Sequence, residues 1–149
     1  MERIVIKNIG EYTLEFADGN LILNPRKTLV NEEEITKSGF LTDSEILSCD
    51  IYDSSNNLIS DKRQYAHIVR EIWKVMPVNV IIQNTTFNMK HGEIKEKGYN
   101  YIPEIGYSYQ AKCAQDTFKE IIKLVKLNNY RINASIKLKN GKEICFEIN

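Results

Sequence analysis

Hydrophobic and polar residues alternate along the first part of the chain in the manner of β-strands. The alternation runs through residues 3–9, 12–16 and 21–23 and predicts three strands. Asp18-Gly19 favours a tight turn between the second and third strands, because both residue types tolerate positive φ. Pro25 lacks a backbone N–H and ends the third strand. The opening of the chain is therefore a predicted β-meander.

The next segment is acidic and less regular. Residues 31–45 are predicted to form an acidic connector, in which Asn31 and the three glutamates after it begin a short helical turn. Residues 46–52 read as another strand. Asp53-x-Ser55-x-Asn57 resembles the start of a calcium loop, but Leu58 and Gln64 replace the glycine and glutamate that such a loop needs. We interpret it as a polar turn.

Two later segments show the three- and four-residue spacing of amphipathic helices. In the first, Ser60 is the predicted cap and Pro77 the stop. Its apolar stripe consists of Tyr65, Ile68, Val69, Ile72, Trp73 and Met76. In the second, Ser108 is the predicted cap, Asn128-Asn129 ends the helix, and the polar face carries Lys112, Lys119, Lys123 and Lys126.

The remaining segments complete the predicted order of elements. Residues 78–83 are predicted as a strand, and residues 90–105 as an extended loop or edge hairpin. At the C-terminus, Asn140-Gly141 predicts a two-residue hairpin turn between alternating strands. Because strands and helices do not alternate strictly, we expect an α+β fold: a largely antiparallel sheet with two amphipathic helices packed on one face. The 149 residues form one predicted domain, with a soft subdivision near residue 60.

Charge is distributed unevenly along the chain although its formal net value is zero. Residues 1–61 carry 12 acidic against 5 basic side chains, and residues 62–149 carry 8 against 15. The two parts therefore have net charges of −7 and +7. The basic part favours anionic partners, whereas the alternative is that the two parts attract each other or are simply solvated.

Composition also bears on location. Cys49, Cys113 and Cys145 are odd in number and widely separated, which favours a reducing compartment. No apolar run approaches the roughly 20 residues that span a bilayer, and no signal-peptide pattern opens the sequence. We expect a cytoplasmic protein with no membrane partner. The abundance of residues with AT-rich codons suggests a low-GC bacterium or one of its phages, in which case the location is the host cytoplasm.

The motifs of common enzyme classes are missing from the sequence. There is no glycine-rich phosphate loop, no paired zinc ligands and no nucleophile elbow around Ser108. We therefore predict no cofactor, no metal and no catalytic residues.

Recognition is the remaining class, and two groups of residues are candidates for it. The first is a tyrosine- and lysine-rich segment, typical of surfaces that bind nucleobases and phosphates: Tyr99, Tyr101, Tyr107, Tyr109, Lys95, Lys97 and Lys112. The second is a cationic spine on the first helix: Arg63, His67, Arg70 and Lys74. The alternatives are an amphipathic strand for the tyrosines and a solvated face for the spine.

Three functions are compatible with these patterns. The leading hypothesis is a small non-enzymatic binding or inhibitor protein that engages an acidic protein surface, a nucleotide-like ligand or nucleic acid. The first alternative is a structural or assembly protein, such as a virion component, that forms homo-oligomers through its acidic and basic parts. The second is a small enzyme of unrecognised type that uses His67 or His91 as a general base.

Overall fold

The computed structural model describes residues 3–9, 12–25 and 27–149. The helices are α1 (Glu32–Ile35), α2 (Tyr65–Trp73), α3 (Val78–Asn84) and α4 (Ala114–Leu127). The first six strands are β1 (Arg3–Ile9), β2 (Tyr12–Ala17), β3 (Asn20–Pro25), β4 (Thr28–Leu29), β5 (Glu45–Tyr52) and β6 (Leu58–Ser60). The other five are β7 (Met89–His91), β8 (Tyr99–Ile102), β9 (Tyr107–Gln110), β10 (Arg131–Lys137) and β11 (Glu143–Ile148).

The strands form three sheets, with orders β1-β2-β3, β4-β11-β10-β5-β6 and β7-β9-β8. All pairings are antiparallel except the short parallel pair of β4 with β11. The α+β class and the N-terminal meander are thus confirmed. The turn between β2 and β3 has positive φ at Asp18 (52°) and Gly19 (75°), as the sequence predicts. The expected single sheet is corrected to three separate ones.

The core lies between the five-stranded sheet and the helices. Ile132, Ala134 and Ile136 alternate along β10 and are buried. Helix α4 contacts this sheet through Phe118, whose ring meets Phe146 edge-on at 5.6 Å. On its other side, Phe118 meets Tyr65 of α2 at 6.0 Å. Helix α2 therefore packs on α4, and its own apolar stripe is buried as predicted.

Residues 78–83, predicted as a strand, belong to helix α3. The backbone N–H groups of Val80 and Ile81 donate to the carbonyl of Pro77, both at 3.1 Å. Proline suits this place because its fixed φ is already helical and the first helical turn needs no donor from it. A short apolar run is compatible with a strand or a helix, and Pro77 directly before it favours the start of a helix.

Both predicted serine caps are wrong. Ser60 lies in β6, and α2 begins only after Gln64, which makes no side-chain cap. Ser108 lies in β9, and α4 begins after Cys113. Tyr107–Gln110 is thus a strand that pairs with β7 on one side and β8 on the other, instead of the approach to a helix. Residues 90–105 contain β8 and all of β7 except Met89.

Two predicted turns are present: the polar turn at Asp53 and the turn of the C-terminal hairpin. Asp53 Oδ1 accepts hydrogen bonds from the N–H groups of Ser55 and Asn57, both at 2.9 Å, which confirms a turn. The C-terminal hairpin is confirmed, but its loop has three residues instead of two. The Leu138 N–H donates to Lys142, and the Gly141 N–H donates back to Leu138. Gly141, at φ 87°, occupies the left-handed position that follows a type I turn in such loops.

Candidate anion-binding site

Helix α2 positions the best candidate site on the face opposite its buried stripe. Ile68, Val69, Ile72 and Trp73 are fully buried, and the face turned away from them carries His67, Arg70 and Lys74. The spacing of three and four residues brings these three side chains to one side of the helix. His67 and Lys74 are exposed, and Arg70 is half-buried.

A cavity of about 210 Å³ lies against this face of α2, and its lining residues are Lys62, His67, Arg70, Glu71 and Lys74. Lys62 reaches it from the segment between β6 and α2. The backbone N–H of Lys62 donates to Ser60 Oγ at 3.2 Å. The buried Ser60 thus shapes this segment and does not cap the helix.

Ion pairing within the cavity is uneven. Lys74 Nζ lies 3.2 Å from Glu71 Oε1 and 3.7 Å from Glu104 Oε1. Within the described ranges, Lys62 and Arg70 form no ion pair. The lining therefore combines three cations with one carboxylate, a net charge of +2 when His67 is neutral. This excess of positive charge makes the cavity suited to an anion.

Arg70 has a buried donor without an acceptor. Among the residues that the structure describes, its Nε is buried and has no hydrogen-bond partner, and the same is true of Trp73 Nε1, one helical turn further on. The buried Nε faces the protein interior, whereas the half-buried Arg70 side chain also lines the cavity, so an acceptor bound there meets the outer part of its guanidinium.

An aromatic cluster lies on the buried side of α2. Trp73, Phe87 and Tyr109 meet edge-to-face, with ring centroids 5.5 to 5.9 Å apart. Burial raises the pKa of Tyr109, and the positive charge of Arg70 acts in the opposite direction. The contact between Trp73 and Tyr109 ties α2 to β9.

Arg63 is separate from the cavity that the other three spine residues line. It is exposed in the non-helical segment before Gln64, so the helical spacing that relates His67, Arg70 and Lys74 does not extend to it. The spine of four residues is corrected to three.

The four predicted tyrosines are divided between two faces of the small sheet. Side chains alternate along a strand, and residues paired across antiparallel strands share a face. Tyr101 pairs with Ser108, so Tyr99 and Tyr101 lie on one face; Tyr107 and Tyr109 lie on the other. Tyr109 is only 3% exposed and belongs to the core. The rings do not form one stacking surface, and the alternative of an amphipathic strand describes them better.

The predicted lysines also lie apart from one another. Lys95 and Lys97 are exposed in the segment between β7 and β8. Lys112 Nζ lies 5.4 Å from the centre of the Phe87 ring. Lys112 also lines a second cavity of about 320 Å³ along α4, together with Thr86, Asp116, Lys119, Glu120 and Lys123. This groove is more balanced in charge than the α2 cavity, because two carboxylates stand among its three lysines.

Sequence reasoning missed Lys62 and Glu71. Lys62 precedes the helix and has no helical relation to the spine, so no periodicity points to it. Glu71 follows Arg70 directly and could have been found from its spacing to Lys74, since residues three apart on a helix are neighbours.

Metal binding, membrane insertion and similarity to known proteins add nothing to the interpretation of this site. In the described part of the chain, no three His, Cys, Asp or Glu side chains come together as a metal site. No helix among these residues has the length and apolar character needed to span a bilayer. Comparison of the chain with protein-family models, curated proteins and solved structures gives no match.

Proposed function

We propose that this protein is a small non-enzymatic binding protein that engages an anionic partner through the α2 cavity. The observation that carries the proposal is the lining of that cavity: Lys62, Arg70 and Lys74 with His67 against the single carboxylate of Glu71. Such a concentration of positive charge attracts anions and raises their local concentration.

The guanidinium of Arg70 adds a reason for binding beyond net charge. Arg70 is half-buried and lines the cavity. Hydrogen bonds between a guanidinium and an oxyanion are among the stronger ones in proteins. An anion in the cavity therefore gains from directed hydrogen bonds as well as from the positive charge.

The proposal covers the class of partner and its cellular setting. The partner is an acidic protein surface, a nucleotide-like ligand or nucleic acid, and an inhibitory or sequestering role in a bacterial or phage-infected cytoplasm is consistent with it. Tyr99 and Tyr101 are half-buried and remain candidates for a contact outside the cavity. The cationic surface supports the proposal, and the free cysteines are compatible with a reducing cytoplasm.

Fluorescence of Trp73, the only tryptophan, gives a direct test because Trp73 lies one turn from Arg70. The protein is titrated with tripolyphosphate and, separately, with poly-L-glutamate. We expect a saturable change in emission that weakens as salt is added, since surface electrostatic attraction is screened.

Arg70→Met and Arg63→Met form a matched pair for this titration. Both remove one positive charge from the same part of the chain, but only Arg70 lines the cavity. We expect Arg70→Met to weaken binding by about tenfold or more, as loss of a charged hydrogen bond does, and Arg63→Met to change it little. Equal effects of the two substitutions, or no binding of either polyanion to the wild type, would overturn the proposal.

A further inference from the structure

We infer that the α2 cavity binds a terminal phosphate group, a phosphomonoester carried by a larger molecule. The inference rests on the proposed function and narrows it, because acidic protein surfaces present carboxylates and nucleic-acid backbones present phosphodiesters. Three features of the cavity favour the monoester: its charge, its donors and its size.

Charge is the first feature. The cavity lining has a net charge of +2 with His67 neutral. A phosphomonoester carries about −1.5 to −2 at pH 7, whereas a phosphodiester or a carboxylate carries a single negative charge. The monoester therefore gains the most from a positive cavity, because attraction scales with the charge of the anion, and Lys62 and Arg70 have no carboxylate partner among the described residues.

The second feature is the set of donors. A terminal phosphate presents three oxygens that accept hydrogen bonds strongly. Arg70 lines the cavity, and the terminal nitrogens of a guanidinium form a fork that suits two oxygens of one phosphate. Lys62 supplies a further ammonium from outside the helix. Lys74 forms ion pairs with both Glu71 and Glu104, so it contributes mainly through its positive charge at the edge of the cavity.

Size is the third feature. At about 210 Å³ the cavity is smaller than the 300–1,000 Å³ usual for sites that enclose a whole organic ligand. It is open to solvent and has room for one phosphate group, while the remainder of the molecule stays outside. A monoester leaves through one linkage and keeps three oxygens for the cations, whereas a diester leaves through two and keeps two.

Glu71 weakens the attraction of the cavity for every anion. Its carboxylate lines the cavity and keeps the net charge at +2 instead of +3. Attraction scales with the charge of the bound anion, so removal of this carboxylate favours a doubly charged anion more than a singly charged one. Glu71→Gln should therefore increase the affinity for AMP more than the affinity for cyclic AMP.

The inference is tested by titration with AMP, 3′,5′-cyclic AMP, adenosine and O-phospho-L-serine at pH 7.5, followed by Trp73 fluorescence and calorimetry. AMP and cyclic AMP share the nucleoside and differ in the phosphate, which is a monoester in the first and a diester in the second. We expect AMP to bind at least about tenfold more tightly than cyclic AMP, and adenosine not to bind. O-phospho-L-serine separates the two sources of the phosphate: binding as tight as AMP assigns recognition to the phosphate alone, and weaker binding assigns a share to the nucleoside.

Arg70→Lys and Arg63→Lys provide the matched variants. Both conserve charge, but Arg70→Lys removes the forked guanidinium, whose geometry lysine does not replace. We expect about a tenfold loss of AMP affinity for Arg70→Lys and none for Arg63→Lys, with unchanged circular dichroism in both.

The outcomes separate the inference from the function on which it rests. Equal affinities for AMP and cyclic AMP would overturn the monoester inference and leave anion binding intact, as would binding of tripolyphosphate without binding of AMP or O-phospho-L-serine. Failure of all these anions, tripolyphosphate and poly-L-glutamate included, would overturn both.

Discussion

At the scale of single residues, the most informative side chain is Gln115, a polar group on the buried face of α4. Its Oε1 accepts a hydrogen bond from the Leu41 N–H, and its Nε2 donates to the Ile35 carbonyl, both at 2.8 Å. These two bonds attach the acidic connector to α4, because they satisfy the N–H of Leu41 in a turn and the carbonyl of Ile35 at the C-terminal end of α1. Periodicity places Gln115 beside the apolar stripe, but its partners are more than 70 residues away and no local pattern indicates them.

Replacing Gln115 tests this attachment. We expect Gln115→Leu to lower the free energy of unfolding by about 1–3 kcal/mol, because it leaves a buried N–H and a buried carbonyl unpaired. Chemical denaturation followed by Trp73 fluorescence measures the change. Gln83→Leu, at an exposed position of α3, is the control and should stay within about 0.5 kcal/mol of the wild type. Equal stabilities of the two variants would contradict the role of Gln115.

Two cysteines, Cys49 and Cys113, are expected to differ in reactivity because they differ in burial. Burial raises the pKa of the Cys49 thiol to about 12, and the nearby charge of Asp50 adds to the effect. The thiolate is the reactive form, so Cys49 should resist Ellman's reagent at pH 8 in the folded protein. Cys113 is exposed and should react readily. Rapid labelling of Cys49 under native conditions, seen by mass spectrometry of peptides, would contradict its burial.

At the scale of elements, α4 holds the connection between α3 and β7 through a buried carboxylate. Glu120 is 2% exposed, and its oxygens accept hydrogen bonds from the hydroxyls of Thr85 (2.6 Å) and Thr86 (3.0 Å). Lys123 donates to the carbonyl of Asn84, the last residue of α3. The sequence predicted a strand for residues 78–83 because the apolar run is short, and the carboxylate that holds the end of this segment comes from another element.

Glu120→Gln keeps the shape of this side chain and removes its charge. Hydrogen bonds to charged groups contribute more than neutral ones, so we expect the free energy of unfolding to fall by about 1–3 kcal/mol. Asp116→Asn is the matched control, because Asp116 lies one turn earlier on the same helix and is exposed. If urea midpoints of the two variants coincide, the carboxylate does not organise the connection.

At the scale of the whole molecule, the acidic and basic parts share the five-stranded sheet, but few ion pairs join them. Among the described residues, the ion pairs between them are Lys126 with Glu32 and Lys139 with Asp43, both exposed. Exposed pairs contribute about 0–1 kcal/mol each, so they account for little of the attraction between the parts. Most of the cations that the structure describes after residue 61 are therefore not neutralised by the acidic part, as the binding hypothesis requires.

The alternative to partner binding is self-assembly, in which the acidic part of one copy attracts the basic part of another and the copies associate head to tail. We expect a single elution volume in size-exclusion chromatography at about 50 mM and at about 500 mM salt, on either side of physiological ionic strength. A larger species at low salt that dissociates at high salt would favour assembly over recognition of a different partner.

The sequence by itself determined the elements whose signals are local: the N-terminal meander, the two amphipathic helices, the C-terminal hairpin and the unequal charges of the two parts. These depend on spacing between near neighbours, which the backbone geometry of helices and strands converts directly into shared faces. Tertiary structure alone decided that Lys62 joins His67, Arg70 and Lys74, that Tyr109 is buried beneath them, and that the strands divide into three sheets. Those features require groups distant in sequence to compete for the same buried space, and the outcome depends on packing and hydrogen bonding across the whole molecule.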